Sequence, residues 1–398
     1  MYKKYKLAIL NAHPVQYQAP LFKKIAGNLE IDLMVYFCWD FGVKEAGFDE
    51  QFGKKVKWDI PVLEGYDFKF LKNYSFKPSS DFWGQVNFGI IKKIISGKYD
   101  ALIIFGWNSF TNWLAFLTAF LAGTPVFLRG ESPLNQELLK SKWKIKIKKI
   151  ILGTLFKFIK AFLYIGEENK KFYRFYGVPE NKLFFTPYAV DNERFISSYQ
   201  ELKDKKQGLR NKLGIEKNDA VIIFIGKLIE KKRPMDLLRA YEILNTKYKI
   251  LNTALVFVGD GALRSKLENY AKGNNLKDVY FVGFKNQTEL PEYYAMADIF
   301  VLPSGVGETW GLVVNEAMCF GLPVIVSNIL GCGFNLVKNG ENGYIFSLGD
   351  IEKLAEHLNE LASDGKKRKL FSKKSFEIIQ NYSYQKDIEG ILSALKKS

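Results

Sequence analysis

The stretch that decides the fold runs from Ile299 to Ala317 and reads IFVLPSGVGETWGLVVNEA. Its first four residues are apolar and predict a buried strand, a loop rich in glycine follows, and a helical pattern begins near Gly311. In a parallel α/β sheet such a loop lies at the carboxyl end of a strand, where ligands bind. The stretch therefore predicts a strand, a ligand-binding loop and a helix, in that order.

Two carboxylates accompany this loop. Glu308 lies in the loop and Glu316 lies eight residues further on, about two turns apart if both positions were helical. The amides at the start of the helix suit an anion, and a carboxylate that accepts two hydrogen bonds could hold a vicinal diol such as a ribose. The alternative is that Glu308 is a loop charge and Glu316 a surface residue of the helix.

Two further strand ends carry glycine. The segment from Ile222 to Pro234 reads IIFIGKLIEKKRP, and lysines just beyond a strand can neutralise a diphosphate. The alternative is a solvated basic turn. The segment FVGDG at 257–261 ends a strand in Gly-x-Gly but lacks the third glycine of a dinucleotide fingerprint, which counts against a dehydrogenase.

Short apolar runs alternate with helical patterns along the whole chain, which indicates parallel sheets built from βαβ units. The runs form two series, at 7–10, 31–37, 101–105, 125–128, 161–165 and 183–186, and at 220–225, 253–258, 279–282, 299–302, 323–326 and 343–346. We expect two doubly wound, Rossmann-like domains. Their predicted bounds are 1–199 and 219–374, with a polar linker at 200–218 and a final helical segment at 375–398 that packs back toward the first domain.

The composition of the 398 residues is globular, with 47% hydrophobic and 25% charged residues, and this excludes disordered and fibrous classes. Three cysteines without a CxxC spacing fit a reducing compartment and no structural zinc. No signal peptide or membrane-spanning segment is expected. The net charge is +16, and residues 1–200 hold 29 Lys or Arg against 18 Asp or Glu, so an acidic partner is expected.

Taken together, these motifs resemble family 4 of the retaining glycosyltransferases, a part of the group 1 glycosyl transferases. The segments GKLIEKKRP, FVGDGALRSKLE, VYFVGF, ELPEYYAMADIFVLPS, GETWGLVVNEAMCFGLPVIVS and GFNLVKNGENGYIF follow the family's order and spacing. The resemblance covers nearly all of the second half of the chain. It implies the GT-B fold, in which the two Rossmann-like domains face each other across a cleft.

The resemblance also implies roles for residues at matching positions. It implies that Glu308 and Glu316 contact the donor, and that Lys227 and Lys232 stabilise the leaving diphosphate. Lys227 stands where the family usually has arginine, so the charge is kept but the bidentate fork is lost. The remaining donor-binding positions are Trp310, Gly311 and Leu312 through their amides, the glycines Gly226 and Gly259, and the backbone around Phe284.

The first half of the chain resembles the family more loosely. The segment HPVQYQAPLF, which begins at His13, follows the first strand and makes His13 a candidate catalytic residue, with a structural histidine as the equal alternative. The family's usual second histidine is absent from the segment FLRGES at 127–132. Arg129 and Glu131 there are candidates for the acceptor side, and a buried structural pair is the alternative.

The stretch at 138–163 has eight lysines and no acidic residue. A helix there would place five lysines on one face and six apolar residues on the other. The lysines are Lys142, Lys146, Lys149, Lys157 and Lys160, and the apolar residues are Trp143, Ile147, Ile151, Leu155, Phe158 and Phe162. Such a helix can lie on an anionic membrane. We expect the apolar face to pack on the sheet, so that only lysines, Lys142, Lys146 and Lys149 foremost, meet the lipid.

These observations predict a retaining, hexosyltransferase-type enzyme that uses a nucleotide-diphosphate sugar, UDP before GDP. The absence of any Asp-x-Asp favours a mechanism without a metal ion, and no cofactor is expected. The acceptor would be a glycan or a lipid-linked glycan in cell-surface polysaccharide or glycolipid synthesis, at the cytoplasmic face of the inner membrane. The alternatives are a basic nucleic-acid-binding protein and a non-catalytic sugar-binding protein on the same fold.

Overall fold

In the computed structural model, residues 4–43, 47–49, 54–56, 59–216, 219–250 and 252–398 are described. The chain forms two compact units. The first comprises Met1–Gly47, Val56–Tyr188 and Tyr384–Ser398, and the second comprises Phe48–Lys55 and Ala189–Ser383.

The first unit is built on a seven-stranded parallel sheet with the order β5-β2-β1-β6-β7-β8-β9. Two further strands, β3 and β4, form a separate two-stranded sheet. The strands up to β9 are β1 (Tyr5–Asn11), β2 (Ile31–Phe37), β3 (Gly47–Asp49), β4 (Lys54–Val56), β5 (Asp67–Phe70), β6 (Ala101–Phe105), β7 (Val126–Arg129), β8 (Ala161–Tyr164) and β9 (Leu183–Phe185).

Helices join these strands, as parallel strands require a crossover connection. They are α1 (Ala19–Ala26), α2 (Gly89–Gly97), α3 (Phe110–Leu121), α4 (Leu134–Glu137), α5 (Lys142–Lys157) and α6 (Glu167–Phe175). The central strands are buried along most of their length, with Leu7, Ala8 and Leu10 all at 0% exposure. Continuous apolar runs of this kind are typical of parallel strands covered on both faces.

The second unit has a six-stranded parallel sheet with the order β12-β11-β10-β13-β14-β15. Its strands are β10 (Ala220–Ile225), β11 (Thr253–Val258), β12 (Val279–Gly283), β13 (Ile299–Leu302), β14 (Val324–Ser327) and β15 (Gly343–Phe346). Its helices are α7 (Asn192–Leu202), α8 (Lys206–Asn211), α9 (Pro234–Thr246), α10 (Arg264–Gly273), α11 (Leu290–Met296), α12 (Leu312–Cys319), α13 (Gly333–Leu336), α14 (Ile351–Ser363) and α15 (Gly365–Ile379).

The chain ends in α16 (Tyr384–Lys396), which belongs to the first unit. The hydroxyl of Tyr384 donates to the carbonyl of Tyr17 at 2.9 Å. The segment predicted as one helix at 375–398 therefore contains the end of α15, in the second unit, and α16, in the first.

The predicted fold class is confirmed. Each of the twelve predicted strands is present, within two residues at either end. The sequence analysis missed the short strands β3, β4 and β5. Strand β5 reads DFKF, and its residues are half-buried or exposed, so it carries no buried apolar run.

The predicted linker at 200–218 differs from the structure. Helices α7 and α8 occupy 192–211, and both lie in the second unit, which begins at Ala189. The buried Arg210 explains why this polar segment is ordered: its guanidinium pairs with Asp298, and its Nε donates to the carbonyl of Met296 at 2.9 Å. A buried ion pair of this kind has no apolar signature in a sequence.

Across the described stretches of the chain, no helix combines the length and the apolar character that a bilayer-spanning segment needs.

Candidate active site

The candidate donor site lies where the strand order of the second sheet reverses. From β10 the chain continues outward to β11 and β12, and it then returns to place β13 on the other side of β10. The loops at 226–232 and 303–311 therefore leave neighbouring strands at the same carboxyl edge. Ligands of open α/β sheets bind at this kind of switch point.

An ion pair joins these two loops. Nζ of Lys232 contacts Oε2 of Glu308, and both side chains are only 14% exposed. Nζ of Lys231 lies 3.8 Å from the same carboxylate oxygen and donates to the carbonyl of Gly307 at 3.0 Å. The amide of Gly305 donates to the carbonyl of Lys231 at 2.7 Å. The structure thus brings together Glu308 and Lys232, two residues 76 positions apart in the sequence.

Two glycines allow the loops after β10 and β11 to pack backbone against backbone. Gly259 has a φ of +140°, and a Cβ there would lie 1.9 Å from the carbonyl oxygen of Gly226. The amide of Gly226 donates to the backbone carbonyl of Val258 at 2.9 Å, and the amide of Leu228 donates to the backbone carbonyl of Asp260 at 2.8 Å. Gly226 and Gly259 were predicted as donor-binding residues. The structure shows that the loops approach each other closely at these glycines, and the donor-binding role stays a prediction.

Glu316 is fully buried, so the alternative of a surface helix residue is wrong. Its Oε2 accepts a hydrogen bond of 2.6 Å from the hydroxyl of Tyr294, and its Oε1 has no hydrogen-bond partner among the described residues. Burial raises the pKa of Glu316 to about 7, although Tyr294, the charge of Arg194 and the side chain of Gln287 act in the opposite direction. A buried carboxylate oxygen of this kind needs a donor.

Arg194 and Gln287 are site residues that the sequence analysis missed. Nη1 of Arg194 donates to the carbonyl of Gln287 at 3.1 Å, and Nη2 donates to its Oε1 at 2.6 Å. Asp191 caps α7 by accepting from the amide of Arg194 at 3.1 Å. Neither Arg194, in the segment YAVDNERF at 188–195, nor Gln287 was singled out from the sequence as a candidate site residue.

The start of α12 requires the glycine that precedes it. Gly311 has a φ of +95°, a left-handed conformation that glycine adopts without strain. Trp310 is 2% exposed, and its Nε1 donates to Oδ1 of Asn315 at 2.9 Å, so its side chain packs inward. The first amides of Leu312 and its neighbours have no partner within the helix. Backbone amides, rather than side chains, remain the predicted contacts here.

Two further predicted donor residues lie at the same carboxyl edge. Lys227 directly follows Gly226 in the loop after β10, and Phe284 directly follows β12. Both are half-buried. Within the described residues, no group of three or more His, Cys, Asp or Glu side chains could hold a metal ion.

In the first unit, His13 lies just beyond the end of β1, in an aromatic setting. Its ring meets the rings of Trp39 and Phe41 edge-on, at centroid distances of 5.7 and 5.5 Å. Burial lowers its pKa to about 4, and its Nδ1 has no hydrogen-bond partner in the part of the chain described. His13 is therefore neutral at pH 7 and is a weaker base than an exposed histidine.

The acceptor-side role predicted for Arg129 is contradicted by the structure. The Arg129 guanidinium, 4% exposed, makes two contacts with the buried Asp387 on α16, at 3.0 and 2.7 Å. A bidentate pair of this kind occupies the fork of an arginine. Arg129 thus belongs to a buried pair, but its partner is Asp387 and not Glu131, with which the alternative had paired it. For Glu131 the acceptor-side role stays a prediction.

The predicted packing of α5 is only partly right, because Leu155 and Phe162 of the predicted apolar face are buried but its other members are not. Trp143, Ile147, Ile151 and Phe158 were expected to face the sheet, but they are 62%, 49%, 49% and 55% exposed. The helix packs through a stripe of Leu152, Leu155 and Phe156, of which only Leu155 was predicted to face the sheet. Both stripes are apolar, so the helical period alone did not distinguish them. The lysines Lys142, Lys146 and Lys149 are exposed as expected.

Comparison with known proteins agrees with this architecture. The family model for group 1 glycosyl transferases matches residues 205–377. The UDP-Gal:alpha-D-GlcNAc-diphosphoundecaprenol alpha-1,3-galactosyltransferase of Escherichia coli is 30% identical over 280 residues, which are 69% of this chain and 69% of that protein. The spore coat protein SA of Bacillus subtilis is 32% identical over 202 residues, 48% of this chain and 52% of that protein.

Among solved structures, that of Anabaena HepE in complex with UDP superposes with a TM-score of 0.74 at 18% identity, covering 99% of this chain and 100% of that one. The two sheets and this likeness define a GT-B fold. The chain belongs to the group 1 glycosyl transferases, and it is a glycosyltransferase.

Proposed function

We propose that this glycosyltransferase moves a hexose from a UDP-sugar to a glycan on a lipid carrier, in cell-surface polysaccharide or glycolipid synthesis. We further propose that it retains the anomeric configuration and needs neither a metal ion nor a cofactor. The observation that carries the proposal is the Lys232–Glu308 pair, which lies across the switch point of the second sheet.

The donor would lie along the carboxyl edge of the second sheet. Lys227, Lys232 and the amides at the start of α12 would meet the diphosphate. The unpartnered Oε1 of Glu316 would accept from the ribose diol, and the backbone around Phe284 would meet the base. Glu308 would orient the sugar while it holds the ammonium of Lys232 in place.

Catalysis would rest on the charge that grows on the leaving diphosphate. As the bond from the anomeric carbon to the diphosphate oxygen breaks, an acceptor hydroxyl attacks that carbon from the same face. Its proton passes to an oxygen of the leaving diphosphate. The two lysines stabilise this charge more in the transition state than in the ground state, which is how a preorganised site lowers a barrier.

UDP is preferred over GDP for the donor because two similar proteins point to it. The E. coli relative is named for UDP-Gal and for a diphosphoundecaprenol acceptor, and the Anabaena protein was solved with UDP. The E. coli name also supports the lipid-linked acceptor. The sequence holds no Asp-x-Asp, and lysines can supply the positive charge that a metal ion supplies in other transferases.

Calorimetric titration with UDP, GDP and ADP tests the donor. We expect UDP to bind at least about tenfold more tightly than the other two, a difference of about 1.4 kcal/mol. Tighter binding of GDP would show that the base of the donor is guanine and not uracil.

Two further assays test the mechanism. Equal turnover with and without EDTA is expected, and NMR of the product should show the anomeric configuration of the donor.

The same assays decide between this function and the alternatives. Binding of UDP without transfer to any acceptor, and without hydrolysis of the donor, would indicate a non-catalytic sugar-binding protein. Salt-dependent binding of DNA without affinity for nucleotide sugars would indicate a nucleic-acid-binding protein.

We also propose that the protein lies at the cytoplasmic face of the inner membrane, held there by lysines. Lys142, Lys146 and Lys149 are exposed, and each lysine near an anionic surface contributes about 1 kcal/mol. Replacing the three with glutamate should reduce co-sedimentation with anionic vesicles and leave transfer to a short soluble acceptor unchanged. Undiminished co-sedimentation would remove these lysines from the proposal.

A further inference from the structure

An exposed apolar surface covers parts of α3 and α5 in the first unit. We call it the α3–α5 face. Its side chains are between 49% and 74% exposed, namely Leu117, Phe120, Leu121, Trp143, Ile147, Ile151 and Phe158. Large apolar side chains that are scattered singly need no explanation, but a contiguous patch of them marks an interaction site.

The patch is contiguous across the two helices. The rings of Phe120 and Phe158 meet edge-on at a centroid distance of 4.8 Å. A shallow groove of about 250 Å³ is lined by Trp113 of α3 together with Trp143, Ile147 and Ile151 of α5. The side chains of both helices thus form one surface.

The fold does not require these side chains to be apolar. Helix α5 is anchored to the unit by Leu152, Leu155 and Phe156, which are 2%, 8% and 4% exposed. Residues 143, 147 and 151 recur at intervals of four and form a second stripe beside this anchor. The second stripe packs against no core, so its apolar character has another cause.

The charged side chains of α5 itself are all lysines. The acidic residue nearest in sequence, Glu137, is buried, and it pairs with Lys140 and Lys148 at 2.9 and 2.8 Å. The other six lysines of 138–160 are exposed. On the flank of α5, Lys149, Lys157 and Lys182 line a depression of about 580 Å³.

We propose that the α3–α5 face inserts its apolar side chains into the boundary between headgroups and acyl chains of an anionic bilayer. The flanking lysines then meet the phosphates of the headgroups. An apolar stripe beside a cationic one is the pattern of an interfacial helix. A second copy of the chain is a poorer occupant, because it would bring lysines against lysines.

This inference builds on the lipid-linked acceptor of the proposed function, but it adds a different kind of attachment. Binding through lysines alone acts within a Debye length and disappears at high salt. Inserted apolar side chains remain bound when salt has screened the charges, since burial of apolar surface does not depend on opposite charges.

The test is co-sedimentation with vesicles of phosphatidylglycerol and phosphatidylcholine at rising salt, with the full chain and with an Ile147→Ser/Ile151→Ser variant. Both side chains are half exposed, so the fold should survive. The matched control is Leu370→Ser, a 65% exposed leucine on α15 of the second unit. We expect a salt-resistant bound fraction in the wild type and in the control, and partitioning at least about tenfold weaker in the variant.

Quenching by lipids brominated in the acyl chain gives a second readout. It should be strong in the wild type and reduced in Trp143→Phe. Complete release of the wild type by salt, or equal binding of the variant, would overturn insertion. Self-association through this face in sedimentation velocity, abolished in the variant, would also overturn it. UDP titration of the same proteins distinguishes failure of insertion from failure of the proposed function. A wild type that does not bind UDP would refute the proposed function and not the insertion.

Discussion

The two sheets share a topology, but their carboxyl edges differ in chemistry. In each sheet the strand order reverses once, between β1 and β6 in the first unit and between β10 and β13 in the second. At the first edge, the ring of His13 meets the stacked rings of Trp39 and Phe41 edge-on, and burial lowers the pKa of His13. At the second edge, an ion pair links two loops.

This difference shows that the loops, and not the order of the strands, decide what each edge can bind. Lysines, amides and closely packed glycine loops suit the oxygens of a diphosphate. Aromatic rings around a neutral imidazole suit the apolar faces of a sugar or a similar acceptor group. On the proposed function the donor lies on the second unit, so mutations at the two edges should have separable effects.

The largest effect is expected at Lys232. Lys232→Ala removes a charge placed where diphosphate charge develops, so kcat should fall by about 10²- to 10³-fold, with a smaller change in KM. Steady-state kinetics with a UDP-sugar is the measurement. Lys231→Ala is the matched control, because Lys231 is more exposed and lies 3.8 Å from Glu308, and it should lose less than about fivefold. Equal losses in both variants would show that Lys232 has no special role.

Gly259 tests the close packing of the loops at the second edge. Gly259→Ala would place a Cβ 1.9 Å from the carbonyl oxygen of Gly226, at a strained φ. We expect unfolding to become easier by about 2–3 kcal/mol. Urea denaturation measures this. Gly273→Ala is the control, since nothing lies within 4 Å of its Cβ, and a stability within about 1 kcal/mol of wild type is expected. A neutral Gly259→Ala would mean that the loops are free to separate.

Glu316 should make donor binding depend on pH. Its pKa is about 7, so the carboxylate that accepts from the ribose is lost as pH falls through that value. UDP affinity should then fall up to about tenfold for each pH unit below 7 and level off above it. Glu316→Gln should remove this dependence and weaken binding about tenfold at pH 8. Calorimetry across pH is the measurement, and an unchanged profile in the variant would refute the ribose contact.

The smallest effect is expected at the first edge. His13→Asn should change UDP affinity by less than about twofold, because His13 belongs to the acceptor side in this account. Transfer to the acceptor should decrease, while slow hydrolysis of the donor persists. Parallel loss of transfer and hydrolysis in this variant would place His13 in donor chemistry.

The sequence was sufficient for the parts that short-range patterns encode. Buried parallel strands are continuous apolar runs, and strand, glycine loop and helix succeed one another in the segment from Ile299 to Ala317. Such features depend on neighbours in sequence or on a known topology. The family resemblance implied Lys232 and Glu308 as donor-binding residues, but the ion pair between them was not predicted.

The remaining features depend on partners distant in sequence. Arg129 looked like an acceptor residue because Asp387, 258 positions away, cannot be recognised as its partner. Gln287 reaches the site only through Arg194. Helix α5 has two apolar stripes, and only one of them, which contains Leu152, Leu155 and Phe156, is buried. Periodicity gives the angle between stripes but not which stripe is covered.

The location of the donor site is tested by titrating UDP into the wild type, into Lys232→Ala combined with Glu316→Gln, and into His13→Asn. We expect the double variant of the second edge to bind UDP at least about a hundredfold more weakly, and His13→Asn to bind it like the wild type. A double variant that binds UDP normally, or a His13→Asn variant that does not bind it, would contradict the assignment of the donor to the second unit.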